Sequence, residues 1–162
     1  MRSLFCVPVA LALLACKGSE DRSGGTAGAA SAQSTMPLRW VPAPSSGPVG
    51  PIVRDEIARE AAEKGRVIVY VGAAWCEPCQ RFHQAAAHGE LDHAFSGLTV
   101  LEFDLDRDSE RLVSAGYESR YIPLFALPAR DGTASGKQIE GAIKGDGAVA
   151  FIVPRLKDLL AQ

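Results

Sequence analysis

Five residues, Trp75-Cys76-Glu77-Pro78-Cys79, stand between two stretches of opposite character. The stretch before them, Val67-Ile68-Val69-Tyr70-Val71, is β-branched and aromatic without polar alternation, which predicts a central strand covered on both faces. Gly72, Ala73 and Ala74 supply a small-residue turn. The stretch after them, from Gln80 to His88, consists of helix formers and meets no Gly or Pro until Gly89. A strand that turns straight into a helix at a cysteine pair leaves few folds open, and it puts Cys76 at a helix N-terminus.

Unpaired backbone N–H groups and the positive end of the helix dipole favour thiolate over thiol at that place, which makes Cys76 the candidate attacking sulfur. Pro78 fits the first turn, where its missing N–H costs nothing. Cys79 shares the helical face of Cys76 and can resolve a mixed disulfide formed on it. A passive staple is a poor account of the pair, because a bridge closing so short a loop constrains little of the unfolded chain.

Trp-Cys-x-Pro-Cys between a buried strand and a helix resembles thioredoxin and its periplasmic relatives. The resemblance runs from about residue 52 to residue 161, because Tyr121-Ile122-Pro123-Leu124-Phe125 lies where that family places a cis-proline opposite its active site. It implies an α/β thioredoxin-like three-layer fold, a central mixed β-sheet flanked by helices. It also implies a thiol-disulfide oxidoreductase with no cofactor beyond the redox-active Cys76-Cys79 disulfide. Substrate would lie as an extended peptide along Ile122 and Pro123. Leu124 replaces the Thr common after that proline, which makes the rim more apolar and suggests protein thiols or disulfides as partners. Trp75 can shield the nucleophile, touch substrate, or simply pack.

Two positions depart from the family. A buried Asp six residues before the first Cys helps to move the resolving thiol's proton there; here that place holds Tyr70, and the usual Lys on the neighbouring strand is Glu102. A Tyr with a pKa near 10 is a poor base at neutral pH. Glu102 is thus either the proton carrier or a carboxylate solvated at a strand end. Glu77, beside Cys76, opposes thiolate formation and predicts a fairly reducing couple, hence a reductant or relay. His83, four residues beyond Cys79, opens another reading, a copper or zinc carrier using Cys76, Cys79 and His83. A third is an interaction module in which the pair is incidental.

Ahead of this domain, Met1-Arg2 precedes an apolar stretch, Leu4 to Ala15, too short to span a bilayer and built like a secretory signal. Leu13-Leu14-Ala15-Cys16 resembles the bacterial lipobox, in which Cys16 would carry lipid; the alternative is an ordinary cleaved signal that leaves Cys16 free. Either predicts export, and the first predicts a protein anchored to a membrane in the periplasm of a bacterial cell envelope. Cys6 leaves with the signal, so Cys76 and Cys79 are the thiols of the folded domain. Lys17 to Met36 has no apolar periodicity and reads as a flexible tether with a reach of roughly 25 Å.

The division is then residues 1–15 signal, 16–51 lipidated Cys16 and Gly/Ser/Pro-rich tether, and 52–162 thioredoxin-like domain. A net charge of −2 makes no case for nucleic acid. A monomer recharged by a membrane or periplasmic redox partner is expected.

Within the domain, Leu38-Arg39-Trp40-Val41 reads as an added edge strand or a docking peptide, and the Pro-rich run after it as the boundary. Ile52 to Lys64 reads as an amphipathic helix with Val53, Ile57 and Ala61 inward and Asp55, Glu56, Arg59, Glu60 and Glu63 outward. Helical spacing resumes from Glu90 to Phe95. Thr99–Asp104 is a second central strand, and Glu110–Ala115 a helix capped by Asp106 or Asp108. Ile122–Leu127 is a third strand, followed by a turn at Asp131-Gly132 and an edge at Gln138–Glu140. A closing helix from Ala148 to Leu160 is kinked or delayed by Pro154.

Overall fold

A computed structural model describes residues 36–162. The signal stretch 1–15, Cys16 and the tether as far as residue 35 lie outside the described residues.

In chain order the elements are β1 (Arg39–Pro42), α1 (Val49–Ala62), β2 (Arg66–Gly72), α2 (Glu77–Ala87), β3 (Leu98–Asp104), α3 (Leu105–Val113), β4 (Leu124–Pro128), β5 (Ala134–Glu140) and α4 (Ala148–Leu160). The strands make one sheet in the order β1-β3-β2-β4-β5. β1, β3 and β2 run parallel, while β4 and β5 are antiparallel to their neighbours. Because side chains alternate along a strand, β2 feeds both faces. Ile68 and Tyr70 pack with Phe82 of α2 and with Ile152 and Leu156 of α4. Val67, Val69 and Val71 pack with Val49 and Val53 of α1 and Leu112 of α3. Helices thus cover both faces of a mixed sheet, the three-layer thioredoxin-like arrangement.

Several elements differ from the sequence reading. The fold begins well before residue 52. Met36 already accepts the Gly97 N–H on its carbonyl (2.9 Å), and β1 pairs with β3 in register, Trp40 opposite Val100 and Pro42 opposite Glu102. The Leu38–Val41 island thereby forms an edge strand, shifted by one residue to Arg39–Pro42, and the Pro-rich run after it is a loop inside the domain.

α1 is turned so that Glu56 and Glu60 are buried with Val49 and Val53, while Ala61 is exposed. Two arginines make that face tolerable, Arg39 of β1 pairing with Glu60 and Arg59 with Glu56. Residues 90–95 form successive turns rather than a helix. α3 starts five residues early because β3 runs into it without a loop, and Asp104 is the N-cap, accepting the Arg107 N–H at 3.0 Å. Asp108 is instead fully buried, bonded to the Asp104 N–H and to Arg107 and Arg111.

α4 runs unbroken through Pro154. The carbonyl left without its helical donor belongs to Ala150, an exposed residue. Where α1 meets the β4–β5 hairpin, Gly132 has φ +86° and a Cβ there would sit 1.9 Å from the Gly50 carbonyl oxygen, so only glycine fits.

Candidate active site

The parallel strand β2 ends at Gly72, and after a four-residue turn the chain enters α2 with Cys76 as N-cap. Cys76 and Cys79 are joined in a disulfide with Cα atoms 5.2 Å apart. The Cys79 N–H points at the Cys76 Sγ (3.3 Å). That donor belongs to the unpaired first turn of the helix and would stabilise negative charge on the same sulfur after reduction. Pro78 occupies the first turn as expected. Both cysteines are nearly buried in the apolar layer under α2 and α4.

Pro123 is buried, its bond to Ile122 is cis, and Ile122 packs against the cluster that holds both cysteines. Among the described residues no hydrogen bond engages the N–H or C=O of Ile122. Trp75 and Ile122 border one cleft of about 230 Å³ with Tyr121 and Arg120. The Trp75 indole is 65 % exposed, and its N–H is fixed by Asp106 at 2.9 Å. Trp75 thus projects beside the sulfur pair on the groove side, with Tyr121 equally exposed across the cleft.

Behind Cys79 lies a second cavity, of about 400 Å³, lined among others by Tyr70, Gly72, His83 and Glu102. Tyr70 and Glu102 are paired across β2 and β3. Gly72 leaves room for the phenol, since a Cβ on it would meet the Tyr70 hydroxyl at 2.5 Å. Burial, and after it the charge of Glu102, push the Tyr70 pKa well above its ordinary value. The phenol therefore stays protonated and is no base. Glu102 is half-buried and accepts the Trp40 indole N–H on Oε2 at 2.7 Å. It is neither freely solvated nor sealed off. Sequence reasoning assigned no role to Trp40; its only signal was an aromatic in a short apolar island.

Glu77 does not present a bare charge to Cys76. Its Oε1 accepts from the Arg81 guanidinium, and the Gly145 N–H lies 3.2 and 3.1 Å from its two oxygens. Arg81 reaches on to Asp146 at 2.7 Å. Hydrogen bonding from Arg81, then from Gly145, holds the Glu77 carboxyl below the usual carboxylate range, so it is ionised but counterbalanced. His83 is exposed on α2 with its ring edge-on to Trp40 (4.6 Å between centroids). The described residues contain no group of three or more His, Cys, Asp or Glu placed to hold a metal ion.

The arrangement supplies what disulfide exchange needs: a sulfur at a helix N-terminus, a second sulfur bonded to it, and free backbone groups beside them. No protein-family profile and no curated protein sequence matches the chain. Among solved structures, a thioredoxin of Trichomonas vaginalis is similar at 20 % identity and TM-score 0.48, covering 75 % of this chain and 95 % of that one. A thioredoxin variant of Halobacterium salinarum is similar at 19 % identity and TM-score 0.45 (76 % and 87 % covered). Poplar thioredoxin h is similar at 18 % identity and TM-score 0.45 (77 % and 97 % covered). Likenesses of this size add nothing to what strand order and helix placement already show.

Proposed function

We propose that the protein is a thiol-disulfide oxidoreductase that acts on exported protein disulfides through Cys76 and Cys79, as a reductant or relay. The observation that carries this is the Cys76-Cys79 disulfide at the start of α2, with the Cys79 N–H directed at Cys76 Sγ.

In the reducing direction the Cys76 thiolate attacks one sulfur of a substrate disulfide. That S–S bond breaks, a mixed disulfide forms on Cys76, and the departing sulfur takes a proton. Cys79 then gives its proton to Glu102 through the cavity they share and attacks Cys76 Sγ. The mixed disulfide breaks, the second substrate thiol leaves, and two electrons have passed from the protein's dithiol to the substrate. A partner dithiol restores the pair by the reverse exchange. Substrate backbone pairs with the open N–H and C=O of Ile122 beside Pro123, and Trp75 forms the wall of the groove. The reducing direction rests on Glu77: the part of its charge that Arg81 leaves uncompensated opposes the Cys76 thiolate and makes the couple more reducing.

Export and anchoring through lipid on Cys16 are part of the same proposal and rest on the sequence of residues 1–16. The placing in a bacterial periplasm, the membrane-side redox partner and a monomeric state go with them. The deciding experiment is the redox equilibrium of the purified protein, with Cys6 and Cys16 replaced by Ser, in glutathione and dithiothreitol buffers read by thiol trapping. A reversible two-electron couple near about −270 mV supports the reductant, and one near about −120 mV reverses the direction of flow. A pair that does not cycle defeats the oxidoreductase reading.

A further inference from the structure

Glu77 stands between the two cysteines, and three groups converge on its carboxylate and on the cation beside it. Arg81, one helical turn on, donates to Glu77, the Gly145 N–H points at both carboxylate oxygens, and Asp146 binds the far side of the same guanidinium. Gly145 and Asp146 belong to the 141–147 loop between β5 and α4. At its other end that loop donates the Gly141 N–H to the Pro123 carbonyl (2.9 Å). One charged cluster thus fastens the helix that carries the sulfur pair to the segment that forms the peptide groove.

A helix-surface ion pair four residues apart is an ordinary stabilising device. Here its position gives it a second consequence. A lone carboxylate next to Cys76 raises the free energy of the thiolate, whereas a carboxylate joined to a guanidinium presents almost no net charge and leaves the helix N-terminus as the dominant influence. The other charged groups around the sulfur pair are Asp106, committed to Trp75, Lys144 on the loop, and Glu102 behind Cys79.

We propose that Arg81 is a positioning residue that sets the redox couple, by holding Glu77 in a neutral pair against loop 141–147 and so keeping its charge from the Cys76 thiolate. This rests on the reading of Cys76 and Cys79 as an exchange pair. Loss of Arg81 leaves Glu77 unbalanced, so the thiolate becomes scarcer and the reduced dithiol less stable relative to the disulfide.

The test is the pH dependence of Cys76 alkylation in the reduced protein, again with Cys6 and Cys16 replaced by Ser, together with its equilibrium against glutathione. Arg81→Met is expected to lower the thiolate fraction at neutral pH roughly three- to eightfold, a range set by one half-screened charge at close approach. The Glu77→Gln/Arg81→Met double variant is expected to return to within about twofold of the parent, because the carboxylate next to Cys76 is then gone and the charge that loses its cation, Asp146, is 99 % exposed and screened by solvent. Arg81→Gln, which keeps a donor for Glu77 and removes only the charge, has to move in the same direction as Arg81→Met, and it serves as the readout if the methionine variant does not fold. An unchanged alkylation profile in the single variants overturns the proposal, as does a shift that persists in the double variant. A parent protein whose sulfur pair does not cycle defeats the exchange reading instead, so the two failures are told apart.

Discussion

The Trp40 indole N–H donates to Glu102 Oε2 at 2.7 Å, joining the outermost strand of the sheet to the carboxylate in the cavity behind Cys79. The same indole lies edge-on to Tyr70 (5.0 Å) and to His83 (4.6 Å), so it closes one side of the region where a proton from Cys79 would go. A half-buried indole is best served by an acceptor, and a half-buried carboxylate gains from a donor that leaves its second oxygen free.

Glu102→Gln is the direct probe of that arrangement. The amide oxygen still accepts from Trp40, so packing is retained while the proposed proton carrier is lost. Breakdown of a Cys76 mixed disulfide by Cys79 should slow by about tenfold or more near neutral pH, where proton removal from a thiol needs a base. The difference should shrink as pH rises and hydroxide takes over that task. Stopped-flow resolution of a preformed mixed disulfide measures this, and equal rates at all pH values would refute the role of Glu102.

Cys79→Ser should convert exchange into capture. Without a resolving sulfur, Cys76 is expected to accumulate stable adducts with protein thiols, seen as shifted bands that dithiothreitol removes, whereas Cys76→Ser should form none. Adducts on Cys79 in the Cys76→Ser protein would reverse the assignment of nucleophile and resolver.

Asp108 ties α3 to the loop before α1. Burial alone would raise its pKa, but hydrogen bonds from Arg107, Arg111 and the Asp104 N–H outweigh this and hold the carboxyl below the usual range. Arg111 also reaches the Pro44 and Gly47 carbonyls. A carboxyl whose pKa is depressed on folding contributes stability above its unfolded pKa and loses it as pH falls through the native value. Asp108→Asn should therefore cost about 2 kcal/mol in urea unfolding at pH 7, less than a fully buried pair because Arg107 is half-exposed. The gap from the parent should narrow below about pH 4.

Gly132→Ala should destabilise by about 3 kcal/mol or more, since a positive φ and a backbone oxygen 1.9 Å from the new Cβ act together. Thermal unfolding would show it. Gly136, also at positive φ but with nothing within 4 Å, is the matched control and should lose only about 1 kcal/mol.

The sequence carried the central part of this structure well. A continuous β-branched run favours a strand buried on both sides, and a Cys-x-Pro-Cys run followed by helix formers favours a helix start, so β2, α2 and the sulfur pair were readable from local chemistry. What escaped was decided by partners distant in the chain. Periodicity placed Glu60 outward because the arginine that pairs with it, Arg39, lies on β1, and placed Glu56 and Arg59 outward together although Arg59 reaches back to the buried Glu56 carboxylate. Glu77 read as a bare charge for the same reason: Arg81 is near in sequence, but the Gly145 N–H is 68 positions away. Asp106 and Asp108 read as caps because nothing local tells that β3 has no loop after it.

The short β1 strand decides what a trimmed version of this protein would be. A chain begun at residue 52, where the prolines invite a cut, would keep both cysteines and most of the helix core, losing Val49 from the start of α1. It would also bare the β3 edge from Thr99 to Glu102, a row of unpaired amides and carbonyls that invites another copy to dock as a strand. Such a fragment would still carry its reactive pair, but it would tend to associate through the side of the sheet next to Glu102.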